Sequence, residues 1–126
     1  MQFSILLMVA LGGALGSLLR YAVASVIQTP AQTGFPWGIF TVNLTGGFAM
    51  GVITALMALK LNVSPELRAF MTVGILGGYT TFSTFSLESA VLIERGAYGL
   101  AAAYIAGSAL LSIAALFAGL WLVRAL

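Results

Sequence analysis

The stretch Gly74-Ile75-Leu76-Gly77-Gly78-Tyr79-Thr80-Thr81-Phe82-Ser83-Thr84-Phe85-Ser86 sits inside an apolar run, Leu67 to Leu92, long enough to cross a bilayer. Its glycines precede a hydroxyl-rich series interleaved with Phe82 and Phe85. Glycine disfavours helix on entropic grounds, and Ser and Thr side chains compete for backbone partners. Hydrocarbon supplies no hydrogen bonds, so irregular backbone persists at membrane depth only where protein or a wet path surrounds it. The stretch therefore predicts a break in a transmembrane helix, with freed carbonyls pointing inward. Such carbonyls are good ligands for a small cation. The alternative is a kinked helix whose hydroxyls bond back to its own carbonyls.

The rest of the chain places that break in lipid. Its 126 residues are 61% hydrophobic and 6% charged, whereas a soluble domain carries about a quarter charged residues. Cys and His are absent, which removes thiol chemistry, zinc–thiolate sites and the commonest general base. The carboxylates are Glu66, Glu88 and Glu94, too few for paired-carboxylate hydrolysis, so an enzyme is not expected. A scattered net charge of +2 makes no basic face for nucleic acid.

Apolar runs predict spans at residues 3–27, 35–59, 66–93 and 97–123, a single all-α transmembrane domain of four helices. The first run has no basic residue before it and is longer than the roughly 7–15 residues of a signal-peptide core, so it reads as a retained helix. The polar segment Gln28–Gly34 reads as a turn, Pro36-Trp37 as a helix start at the interface, and Ser64 as the N-cap of a helix opening at Pro65. Glu94-Arg95-Gly96 closes the third run. Period-2 alternation is missing, which argues against a β-barrel. Small residues recur at Gly12, Gly13, Gly16 and Ser17, at Gly46, Gly47 and Gly51, and at Ala102, Ala106 and Ala109. They allow close helix packing within one chain, or between two copies. The termini side holds Lys60, Arg68 and Arg124, and the other side holds Arg95 and Arg20. So slight a bias scarcely commits the chain to one orientation. It fits insertion both ways round, or a weak bias that suffices.

Further polar residues lie at membrane depth. Asn43, flanked by Thr41 and Thr45, must face protein or water. Tyr104, Ser108 and Ser112 are four residues apart and share one helix face; they are hydroxyl donors or interhelical glue. Phe82 and Phe85 share a side if the helix resumes there, and aromatic rings have electropositive edges. Together these features suggest an anion path. Arg20 would attract anions near a mouth, or snorkel to the interface. Glu88, about one turn beyond Phe85, pairs with Arg20, bonds a hydroxyl or lies near the interface.

The segment Gly77 to Ser86 resembles the signature of the Fluc/CrcB fluoride-channel family. Gly12-Gly13-Ala14-Leu15-Gly16 with Leu19-Arg20-Tyr21, and Thr41-Val42-Asn43-Leu44 followed by Gly46-Gly47, are similar to its other motifs in order and spacing. The resemblance implies a dual-topology antiparallel homodimer in a bacterial plasma membrane, with two fluoride pores and a central sodium ion as cofactor. It implies that the carbonyls of Gly77 and Thr80 hold the sodium. It further implies that Phe82, Phe85, Asn43, Thr81, Ser83, Tyr104, Ser108 and Ser112 serve the pore, and Arg20 a vestibule. Two positions depart from the family pattern: Ile39, one turn before Asn43, and Leu116, next on the hydroxyl stripe, both lack a donor.

The competing expectation is a proton-coupled exporter of the small multidrug type, or a fluoride–proton exchanger. Either needs a membrane-embedded carboxylate, and Glu88 is the one candidate. A purely structural subunit is the third reading, in which glycines and hydroxyls serve packing alone.

Overall fold

The computed structural model describes residues 2–28 and 34–126, so most of the expected turn at Gln28–Gly34 lies outside the described residues. The chain is helical, with no strand among those residues. In chain order the elements are α1 (Phe3–Ile27), α2 (Trp37–Leu59), α3 (Pro65–Ala69), a π-helical segment (Phe70–Leu76), α4 (Gly77–Tyr79), α5 (Phe82–Glu94) and α6 (Tyr98–Ala125). Helices α1, α2 and α6 are long and apolar enough to cross a membrane. At 1.5 Å per residue they measure roughly 35–42 Å, against a hydrocarbon core of about 30 Å.

The third crossing is composite. Ser64 caps it, its hydroxyl accepting from the Leu67 N–H at 3.1 Å, and Pro65 occupies the first turn, where its missing N–H costs nothing. The chain stays helical through the π segment to Tyr79. It then turns extended at Thr80 (φ −80°, ψ 156°) and Thr81 (φ −149°, ψ 125°) before α5 begins. That is the break expected from the Gly-Gly-Tyr-Thr-Thr series. Back-bonding of hydroxyls is also present: Thr80 Oγ1 donates to Leu76 O, Ser86 Oγ to Phe82 O, and Ser89 Oγ to Phe85 O. It accompanies the break and does not replace it. Gly96, at φ 73°, ends α5, with the Ala97 N–H bonded to Leu92 O and the Gly96 N–H to Ile93 O. A left-handed glycine with a six-to-one bond is a common helix stop.

The small residues are consumed largely within the chain. A Cβ on Gly12 would meet Phe70 O at 2.5 Å and the Gly74 Cα at 2.9 Å, and one on Gly16 would overlap the Ile75 carbonyl. Here α1 lies backbone against backbone on the π segment. Gly51 of α2 is as close to the Leu116 carbonyl of α6, and Gly47 to the Ser112 carbonyl. Without a hydrophobic drive between helices in lipid, contacts of this closeness carry the association. Ala102 and Ala106 are exposed. The stripes on α1 and α2 therefore hold the single chain together.

Pro36 stands just before α2 as its N-cap, one place earlier than the first-turn position that the sequence suggests, and its carbonyl accepts from Phe40 N–H. Phe35, Leu92, Ala101 and Tyr104 form a buried apolar cluster beside it.

Candidate functional site

Asn43 projects from α2 to the break. Its Oδ1 accepts from the Thr81 N–H at 2.8 Å, and its Nδ2 donates to the Thr81 carbonyl at 3.1 Å. Two residues along the chain, Thr45 Oγ1 lies 2.9 Å from the Tyr79 hydroxyl. On the far side of the break the Thr81 side chain caps α5, accepting from the Thr84 N–H at 3.2 Å. It also lies 3.2 Å from the Ser83 hydroxyl, so Ser83 braces the cap from an exposed position. The extended backbone is thus held from both directions by side chains, as buried polar backbone requires.

Against this break runs an open groove of about 390 Å³, lined by Asn43, Thr80, Thr81, Phe82, Phe85, Ser108, Ser112 and Leu116 among others. Its Gly47 and Ser112 belong to the middle turns of α2 and α6, which places the groove at mid-bilayer depth. Ser108 and Ser112 decide its character. Both hydroxyl oxygens are buried and have no hydrogen-bond partner. Elsewhere, the hydroxyls of Thr45, Ser86 and Ser89 bond back to their own helix. These two residues border the groove with hydroxyls that have no partner, and an unpaired buried hydroxyl is costly unless a ligand or water takes it.

Phe82 and Phe85 open α5 on the same groove, with ring centroids 5.4 Å apart and planes tilted 42°. Phe85 continues inward to Tyr104 at 5.3 Å. Phe82 is 79% exposed in the single chain, so its outer surface is free to meet lipid or another protein surface.

Tyr104 sits differently from the two serines. It is fully buried, packed between Phe35 and Phe85, and its hydroxyl donates to Glu88 Oε2 at 2.7 Å. Of the partners considered for Glu88, the structure supplies a hydroxyl. Glu88 in turn lines a second cavity of about 370 Å³ with Ser25, Gln28, Gly38, Ile39 and Thr84. The hydroxyl stripe on α6 therefore leads from the mid-bilayer groove, through Tyr104, to a carboxylate at the end where α1 meets α2. Ile39 borders that second cavity and Leu116 the first, each contributing only an apolar wall. Arg20 is half-buried on α1 and lines neither cavity.

The break also exposes acceptors. Because Thr81 N–H bonds Asn43 and Thr84 N–H bonds a hydroxyl, no backbone N–H among the described residues closes onto the carbonyls of Gly77 or Thr80. Gly77 is exposed. Carbonyl oxygens are hard ligands suited to a small alkali cation, so the donor set fits sodium. Sequence reasoning missed the Gln28 contact: its Oε1 accepts from Gly38 N–H at 3.1 Å and caps the start of α2. The polar residue at the end of an apolar run was the only signal available.

Fold and groove together define a small multi-pass membrane protein with a helix broken at mid-bilayer. The chain belongs to the family described as CrcB-like protein, Camphor Resistance (CrcB), whose model matches residues 7–120. It is 55% identical over 119 residues to a fluoride-specific ion channel FluC of Rhodospirillum centenum, covering 94% of each chain. It is 51% identical over 117 residues to the protein of that name from Agrobacterium fabrum, covering 93% of this chain and 94% of the other. Its similarity to the fluoride-specific ion channel FluC 1 of Nitrobacter hamburgensis runs the full length of both chains, at 46% identity over 126 residues.

Proposed function

We propose that the chain is a fluoride channel, passing fluoride passively out of the cytoplasm across a bacterial plasma membrane and so lowering its toxicity. The observation that carries the reading is the pair of unpaired hydroxyls, Ser108 and Ser112, on a groove shared with Asn43, Phe82 and Phe85. Fluoride is small and strongly hydrated. Fixed donors at mid-bilayer replace the water it leaves, and phenyl edges add electropositive surface. A groove that offers hydroxyl and amide donors without a facing cation favours an anion that accepts strong hydrogen bonds.

The working unit in this reading is an antiparallel homodimer with two pores. Support comes from the open side of the groove, the 79% exposure of Phe82 and the weak charge bias between the two membrane faces. In the same reading a sodium ion sits at the dimer centre, on the carbonyls of Gly77 and Thr80, and supplies fixed positive charge between the pores. Arg20 acts at a distance from the groove, drawing anions toward its mouth.

Fluoride release from liposomes containing the purified protein, read with an electrode beside chloride release, tests the proposal. Rapid fluoride release with negligible chloride release is expected. Release of both halides, or of neither, refutes it. Glu88→Gln separates a channel from a proton-coupled carrier. The amide oxygen of Gln still accepts from Tyr104, so fluoride flux stays within about fivefold of wild type, in line with the modest net worth of one hydrogen bond. Vesicle pH records, taken alongside, show no coupled proton movement in either protein.

A further inference from the structure

In an unbroken α-helix the Thr81 N–H would donate to the carbonyl of Gly77, four residues earlier. Here it donates to Asn43 Oδ1, and the amide of Asn43 returns a bond to the Thr81 carbonyl. One side chain thus substitutes for the helix on both polar groups of one peptide position. We infer that Asn43 is a positioning residue for a cation cradle: it keeps the Thr81 N–H away from Gly77 and so leaves the Gly77 carbonyl free, beside the Thr80 carbonyl that the Thr81 cap frees, to take a hard monovalent cation. The inference rests on the sodium reading above and assigns a residue of α2 to that site.

Neighbouring contacts make the clamp specific to α2. Thr45, two residues along, holds the Tyr79 hydroxyl at 2.9 Å. A Cβ on Gly46, the next residue, would overlap the Thr80 methyl and approach the Tyr79 ring at 3.1 Å. The break is therefore seated against α2 over Tyr79, Thr80 and Thr81 together, with Asn43 supplying the one contact that redirects the backbone N–H. An amide nitrogen carries two hydrogens, of which the Thr81 carbonyl takes one. Asn43 also lines the groove, so the other is available to an ion there. The Thr81 backbone beside the cradle and an ion in the groove then meet on one amide group, and any coupling between cation and anion is reciprocal.

The test uses full-length protein in detergent. Thermal unfolding is followed as sodium chloride replaces N-methyl-D-glucamine chloride at constant ionic strength, and fluoride flux is measured in parallel. Wild type is expected to unfold at higher temperature as sodium rises, with a measurable midpoint. Asn43→Leu, which lets Thr81 N–H return to Gly77, should move that midpoint to about tenfold higher sodium or beyond, from the loss of a buried acceptor. Asn43→Asp keeps an oxygen for the Thr81 N–H but turns a second oxygen toward the Thr81 carbonyl in place of the Nδ2 donor, so its midpoint should fall between those of wild type and Asn43→Leu, with fluoride flux lost. If Asn43→Leu does not fold, Asn43→Ser, whose oxygen stops one bond short of the amide, carries the same expectation. An unchanged sodium midpoint in the Leu or Ser variant overturns the inference, as does an equal weakening in Asn43→Asp. No sodium response in wild type that still conducts fluoride removes the sodium reading itself, and the inference with it.

Discussion

Replacing Ser108 and Ser112 together by alanine is expected to cut fluoride flux by about a hundredfold or more and leave the protein at least as stable. A hydrogen bond to a charged partner contributes about 1.5–3 kcal/mol, so two lost donors weaken passage by roughly 3–6 kcal/mol. The effect on folding has the opposite sign. Neither hydroxyl has a partner in the folded chain, so removing it breaks no bond and relieves a buried unpaired group. Alanine also has the higher helix propensity, by a few tenths of a kcal/mol. Flux assay and thermal unfolding on the same double variant therefore separate an ion path from packing glue. A fall in both would mean that the serines bond across helices and hold the bundle. Flux equal to wild type would mean that the ion does not touch them.

Gly16→Val is expected to abolish folded protein. The added Cβ would overlap the Ile75 carbonyl and lie 2.9 Å from the Tyr79 amide nitrogen, backbone atoms that have no rotamer to escape into. Separating α1 from the third crossing would unseat Gly12 from Gly74 as well, and with it the floor beneath the break. The contrast is Gly99→Ala on α6, where nothing lies within 4 Å of the added atom. Size-exclusion chromatography of the two variants in detergent should give a folded peak for the second alone. A folded, conducting Gly16→Val would show that α1 can move off the break freely.

The elements were legible because each has a local signature. Ser64-Pro65 announces a helix start, Gly96 a stop, and the Gly77–Thr81 series an interruption, all through the preferences of the residues themselves. The polar positions were equally plain, since Asn43, Ser108 and Ser112 are conspicuous among aliphatic neighbours. Their duties were not. Asn43 meets Thr81 across 38 positions of sequence, and no periodicity encodes that pairing. Tyr104 looks identical to the serines on a helical wheel, yet its length carries its hydroxyl past the groove to Glu88. The glycines marked close approach without naming the partner, which proved to be the chain's own third crossing and α6.

The π-helical turn at Phe70–Leu76 had no signature at all, and it has a consequence for how the protein can change. A π turn holds one residue more than an α turn, and each residue of an α-helix advances the azimuth by about 100°. The segment thus sets the phase of everything after it: closed as α turns with the same residues, it would swing Tyr79 away from Thr45 and Thr81 away from Asn43, although every side chain was kept. A change from π to α winding in this turn is therefore a rotary adjustment of the break, a kind of movement that no substitution within the groove can reproduce.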